Sequence, residues 1–497
     1  MVTAVENTIL LCLLTCLFAV PLGCLLAILL GRTNVVGRSV AWICLGSQIA
    51  LPLYVFAGGW CAAVGTQGWL PAIAPRLFQT SQSTGSVLIV ALVHTLAAIP
   101  WVCFLTSLGL TYSNRSLEET AQLEGGVWSV LRLAVGPQMR IWVMASCLFC
   151  CLPILTEMVV TNLYQVPSVA EQIYLDASLG TVTPMTYVAA TLLCMLPVVS
   201  AGLIWIWLSP PWRDVAFRAT THPAEPLQLG RYRVACSSFV WTVVFALVAI
   251  PIVSLCAKAG WKAETASDGT ARYGWAFERF VQTIKEGATL FGEEFTWSFV
   301  IATVSATASL LVAGLLLRIS TGSRALRIAV SCGMLLLVSV PGPAVGMFVT
   351  WLLNRSEPAF LGYLYDATIA APVLAQQFRL LPLAWVIALT VAYTVAPSTL
   401  QQLTLDGIRP GIASLVQLLP QLWRKLVSAW VLLAVMSIGE LSCSLLVLPP
   451  GMTTLSKRLF EMLHFGMRHQ DSALCGVLVL LGWTVSLVLR KTLSDRG

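Results

Sequence analysis

The chain alternates between long apolar stretches and short polar joints. Eleven apolar stretches run near 8–31, 41–63, 86–110, 141–163, 186–208, 235–257, 295–317, 327–353, 373–396, 426–448 and 472–489. A helix rises about 1.5 Å per residue, so about 20 apolar residues cross a hydrocarbon core about 30 Å thick. The stretches have helical length and no short alternating segments, which argues against a β-barrel. The pattern therefore predicts an all-α polytopic membrane protein with about eleven transmembrane helices.

Composition agrees with the pattern. Hydrophobic residues make up 58% of the chain, charged residues only 10%, and the mean hydropathy is +0.84. A soluble domain carries about a quarter charged residues, so the medium around this chain is lipid. The net charge of +7 is not a nucleic-acid signal, because its distribution follows the membrane. Joints 32–38, 111–140, 209–234, 318–327, 397–425 and 490–497 hold 18 of the 29 Lys and Arg residues. Basic joints stay in the cytoplasm. The expected orientation is N-terminus outside and C-terminus cytoplasmic, with the first stretch retained as a helix rather than cleaved as a signal peptide.

One cassette occurs twice. Gly125 is followed by Pro137 and Glu157, and Gly407 by Pro420 and Glu440; proline and glutamate are 20 residues apart both times. Each glycine sits in a cytoplasmic joint, and each glutamate in the apolar stretch after it. Downstream apolar positions fall on a helical stripe: Val127, Val130, Leu131, Ala134 and Val135, then Ile408, Ile412, Leu415, Val416 and Leu419. A helix, a turn at the glycine and a second helix are expected, with the stripe covered by the bilayer surface, by the protein's own helices or by a partner.

The joint 209–234 is basic and carries Pro210, Pro211, Pro223 and Pro226. Proline fixes φ and removes a donor, so no continuous helix runs through it. It reads as a cytoplasmic linker between a first repeat (1–208, five helices) and a second (235–497, six helices, with an outer loop at 258–294). In each half, a helix with proline follows the first core helix: Pro52 in ALPLYVFAGGW, then Pro341 and Pro343 in VPGPAVGM. Paired halves are a mark of transporters.

The two loops, LEETAQLEGGVWSVLRLAVGP (117–137) and TLQQLTLDGIRPGIASLVQLLP (399–420), resemble the EAA loop of ATP-binding-cassette importer permeases. Glu119, Ala121 and Gly125 match in the first copy, and Asp406, Gly407 and Pro420 in the second. Thr120 departs from the pattern, Gly136-Pro137 comes one residue early, and Gln401 and Leu403 stand where glutamate and alanine are usual. The start of the chain, the Pro52 and Pro341 segments and LPPGMTTLSKRLFEMLHFG (448–466) resemble fused two-repeat permeases of the iron(III) importer group, whose relatives carry thiamine or phosphonate. Such permeases usually have twelve helices. An eleven-helix protein, or a start upstream of Met1, is the expectation here.

The resemblance implies a bacterial inner-membrane permease that does no covalent chemistry. Two cytosolic ATPase subunits would dock on the loops, and an extracytoplasmic binding protein would deliver substrate. ATP and Mg would bind the partner ATPase, and this chain would hold no cofactor. A P-loop needs G-x-x-x-x-G-K-[ST], and the only Lys followed by Ser or Thr is Lys491-Thr492, after Arg490.

Glu157 and Glu440 are the clearest acids inside spans, where charge is costly. Two readings stand: a cation pathway or gate, or a structural hydrogen bond to a neighbouring hydroxyl or backbone group. No Lys or Arg partner is evident in a span, and Arg379 is placed near a membrane edge. His94 reads as a satisfied core histidine, and His464 and His469 as outward-facing. Cys147, Cys150 and Cys151 read as small buried hydrophobes, and no metal site is expected. An ion-coupled secondary transporter, with the two glutamates as proton carriers, is the alternative of another class.

Overall fold

The structure is a computed structural model that describes residues 2–64, 82–111, 115–180, 227–265, 271–355, 357–393, 412–464 and 469–494, with scattered positions elsewhere. Most of the linker, most of stretch 186–208, and Gln401 and Gly407 lie outside the described residues.

The described chain is helical apart from one hairpin. Its first part holds α1 (Val2–Arg32), α2 (Arg38–Ile49), α3 (Leu53–Val64), α4 (Gln82–Thr111), α5 (Arg115–Ser129), α6 (Gly136–Thr156), α7 (Val159–Leu163) and α8 (Val169–Ser178). After the linker come α9 (Arg233–Val244) and α10 (Ile250–Ala259), joined by a wide turn. An antiparallel hairpin follows, β1 (Trp261–Thr265) with β2 (Ala271–Trp275), in which Trp261 faces Trp275. The rest is α11 (Phe277–Leu290), α12 (Gly292–Ser320), α13 (Arg324–Ser339), α14 (Gly342–Leu353), α15 (Ala359–Ala367), α16 (Ala370–Tyr393), α17 (Ile412–Gly439), α18 (Leu455–His464) and α19 (His469–Ser494). Eight helical segments among the described residues are long and apolar enough to cross a membrane, or ten if each of two bent pairs counts as one crossing. These ten coincide with ten of the eleven apolar stretches.

Three long helices pack together in each part: α1, α4 and α6, then α12, α16 and α17. Small and polar side chains bring the second set close. Ser305, Ala306, Ser309 and Ala313 on α12 are buried. The Gln377 amide of α16 donates to the Ser305 carbonyl (3.3 Å) and accepts from the Ser309 hydroxyl (2.7 Å). Such polar ties join helices in lipid, where apolar burial adds little drive.

The proline segments break rather than continue. α2 and α3 meet at 104°, and α13 and α14 at 101°. Proline disfavours helix in the residue before it and removes a donor, so Pro52 and Pro341 each end one helix and start another. The Pro52 carbonyl accepts from Val55 (3.0 Å) and Phe56 (3.1 Å), and that of Pro341 from Val345 (3.1 Å). Each pair was expected to be one proline-bearing span and is instead a sharp corner. The corners reach across the molecule: α2 packs on α19, α3 on α10, and α14 on α8.

At the end of α1, buried Arg32 pairs with Glu118 of α5 and donates to the Leu110 carbonyl at the end of α4 (3.3 Å). The end of the linker lies on the same turn. Leu227 N–H donates to the Arg32 carbonyl (2.7 Å), and the Asn34 amide donates to Gln228 (2.6 Å).

Candidate functional site: a cavity between four helix ends

Both sequence-predicted glutamates sit where a helix stops. α6 ends at Thr156, and Glu157 takes an extended backbone (φ −109°, ψ 138°). α17 ends at Gly439, directly before Glu440. The apolar stretches around them were expected to run on as helix. They break because each carboxylate turns onto the backbone just ahead. Glu157 Oε1 accepts from Val159 N–H (2.9 Å) and from the Ser442 hydroxyl (3.1 Å); Glu440 Oε1 accepts from Cys443 N–H (2.8 Å). A side-chain acceptor on the first amides of a turn is the logic of an N-cap. The Ser442 contact brings the two glutamate segments together, although they lie 285 positions apart.

The two segments line a cavity of about 300 Å³, with Pro52 at one corner, Val338 at the other, and Gln48, His94 and Arg379 in the wall. Gly439 allows this approach, since a Cβ there would lie 2.9 Å from Pro52 Cγ. α2 has 12 residues, so its corner lies about 18 Å along the helix axis, within a core about 30 Å thick. Irregular backbone at that depth is tolerated where it lines a cavity.

Arg379 corrects the sequence reading. It lies inside the span Ala370–Ala392, not at a membrane edge. Its guanidinium donates to the carbonyls of Val338, Val340 (2.8 Å) and Thr156 (3.4 Å). These are the final carbonyls of α13 and α6, where a cation is favoured by the helix dipole. One arginine thus ties the second corner to the first glutamate helix. His94 also departs from expectation. It is 4% exposed, its Nε2 has no partner, and it lines the cavity. Gln48 Oε1, Glu157 Oε2 and Glu440 Oε2 are likewise buried without a partner. His464 and His469 are bonded, to Asn162 (2.8 Å) and Arg279 (2.9 Å). Among the described residues no group of three metal-ligating side chains converges.

The loop residues fall elsewhere. Glu118, not Glu119, carries the buried ion pair, while Glu119 is exposed and Ala121 is buried. The turn is made by two glycines: Gly125 is extended (φ −163°), and Gly126 has φ +67°, ψ −157°. Of the first stripe, Val130 and Val135 are buried in the protein's own core with Ala121, and the side chains of Val127, Leu131 and Ala134 lie outside the described residues. A different set faces outward: Leu123 is 90% exposed and Trp128 74%. In the second loop Asp406 is exposed and Leu405 is 85% exposed; Trp423, 50% exposed, lies beyond it in the span Leu418–Gly439. Leu419 is half exposed, and Ile408 and the side chains of Ile412, Leu415 and Val416 lie outside the described residues. Pro137 and Pro420 are exposed within or at the start of helices.

Compared with protein-family models, curated proteins and solved structures, the chain matches none of them.

Proposed function

We propose that this chain is the transmembrane permease of an ATP-driven importer, built from two tandem repeats, with separate ATPase subunits on loops 115–137 and 399–420 and a binding protein outside. The observation that carries the reading is a mechanical one. The first loop runs through α5 and one wide turn into α6, whose far end is Glu157. The second runs into α17, continuous from Ile412 to Gly439, beside Glu440. A push on either loop is transmitted along a helix to the cavity. Leu123 and Trp128 on one loop, and Leu405 on the other, are apolar side chains for a cytosolic partner to cover.

Supporting the duplication, a long helix, a bent pair, a second long helix and a helix ending at glutamate follow one another at 2–157 and again at 292–440. Transport would proceed by alternating access, with the cavity opening to either side in turn. Iron(III), thiamine and phosphonate are the cargoes that the sequence resemblance brings, iron(III) first.

The test is to replace Trp128 and Leu405 with Asp in the full chain, expressed with its neighbouring genes. Co-purification of a subunit labelled by azido-ATP, and vanadate-sensitive uptake, are expected to be lost. A second reading is favoured by the unpartnered Oε2 atoms of Glu157 and Glu440: an ion-coupled carrier that protonates them. Uptake that survives both Asp replacements and ATP depletion, but collapses with an uncoupler, would decide for the carrier.

A further inference from the structure

The backbone sets the charge of the cavity as much as the side chains do. Four helices end on it, α2 at Ile49, α6 at Thr156, α13 at Ser339 and α17 at Gly439, while α3 begins on it at Leu53 and its positive end offsets part of that field. Each helix C-terminus carries about half a negative charge on its last carbonyls. Glu157 and Glu440 add to the same field. Arg379 answers two of the four ends, those of α13 and α6. At the end of α17, the Ser437 carbonyl receives a neutral amide, from Gln376 (3.2 Å). Among the described residues Arg379 is the one Lys or Arg that lines the cavity, and His94 is the other basic side chain in its wall.

The two halves explain where a second cation is missing. Arg379 lies 28 residues before Gly407, and the residue 28 before Gly125 is Ala97. Ala97 also lines the cavity. Alanine there leaves free the volume that a guanidinium side chain fills on the other side. We propose that the cavity binds a small organic cation bearing N–H donors, an amine or a guanidine. Its charged group takes, at the ends of α2 and α17, the place that Arg379 takes at the ends of α6 and α13.

The rest of the wall fits such a ligand. Glu157 Oε2, Glu440 Oε2 and Gln48 Oε1 are three buried acceptors without a donor, and a buried acceptor left unmet is costly. Gln48 is 9% exposed. His94 Nε2 serves as donor or acceptor according to its tautomer. Tyr54, Phe56, Trp101 and Phe149 supply ring walls, which attract an organic cation through their faces and are of no use to a bare metal ion. A phosphonate would meet two carboxylates and two helix C-termini that face no cation among the described residues. The volume lies at the lower end of small-molecule pockets.

This inference rests on the cavity being the substrate site of the importer, yet its test needs no ATPase. The full chain in lipid nanodiscs is titrated by calorimetry with phenethylamine and agmatine, and in parallel with methylphosphonate and ferric citrate. One-to-one binding of at least one amine is expected. Ala97→Arg, which tethers a guanidinium in the site, and the isosteric Glu440→Gln are each expected to weaken it at least tenfold. Trp101→Leu, which adds no charge, serves as a third variant should one of these fail to fold, with the same tenfold expectation. Phenyltrimethylammonium, without N–H donors, is expected to bind at least tenfold more weakly than phenethylamine. Absence of amine binding, binding indifferent to these replacements, or binding of ferric citrate or methylphosphonate alone would overturn the site. Amine binding that persists while the loop replacements leave uptake intact would instead overturn the importer reading and spare the site.

Discussion

Arg379 shows how far one side chain can reach in this fold. It joins the last carbonyls of α13 and α6 within the span Ala370–Ala392. A hydrogen bond to a charged group contributes about 1.5–3 kcal/mol. Arg379→Met is therefore expected to destabilise the protein by about 3 kcal/mol, read as a lower unfolding midpoint in nanodiscs. Arg379→Lys should recover only part of this, because a compact ammonium lacks the fork that spans two helix ends. Glu157→Gln keeps the acceptor for Val159 and Ser442 but removes the charge. It is expected to leave the fold intact and to lower uptake at least tenfold. Unchanged uptake would mean that Glu157 is only a hydrogen-bonding cap.

The elements are governed by where helices stop. The sequence signals for stopping were visible at Pro52 and Pro341 as prolines, but the pattern put each inside one helix, and the corners of about 100° came only from the structure. No such signal was legible at Glu157 and Glu440, because the stop comes from a carboxylate folding onto the backbone two or three residues ahead. Periodicity cannot distinguish that from a buried helical acid. The loop turn was legible as a glycine, but its location was off by one. Gly126 holds a backbone conformation that only glycine adopts without strain of about 1–3 kcal/mol. Gly126→Ala is thus expected to reduce coupling more than Gly125→Ala, measured as uptake per ATP hydrolysed. Gly439→Val would push against Pro52, at an overpacking cost of about 1–3 kcal/mol, and should loosen the seam between α17 and the first corner.

At the scale of the whole molecule the two loops are unequal. Glu118 lies seven residues before Gly125, and the matching residue before Gly407 is Leu400. The first loop is therefore anchored by the buried pair with Arg32, and the second carries leucine rather than an acid at the matching position. Removing one partner of a buried pair costs about 3–5 kcal/mol. Glu118→Ala should release the first loop and leave the second, so that bound ATPase falls from two copies to one per permease, measured by native mass spectrometry. A fall to zero, or no fall, would show that the anchor does not set the difference.

The sequence by itself determined the membrane environment and ten of the described crossings or corners. Chain length and hydropathy act residue by residue and need no partner. It also placed the cassette, the prolines of the paired segments and the two glutamates, since their spacing is a property of the chain. Only the tertiary structure decided that the segments of Glu157 and Glu440 meet, that Arg379 lies within a span, and that His94 faces a cavity. It alone separated the buried face of the first loop, at Val130 and Val135, from the exposed one, at Leu123 and Trp128. Those facts depend on groups far apart in sequence: four helix ends brought to one point by two corners of about 100°. No local pattern encodes which carbonyls a distant arginine will find there.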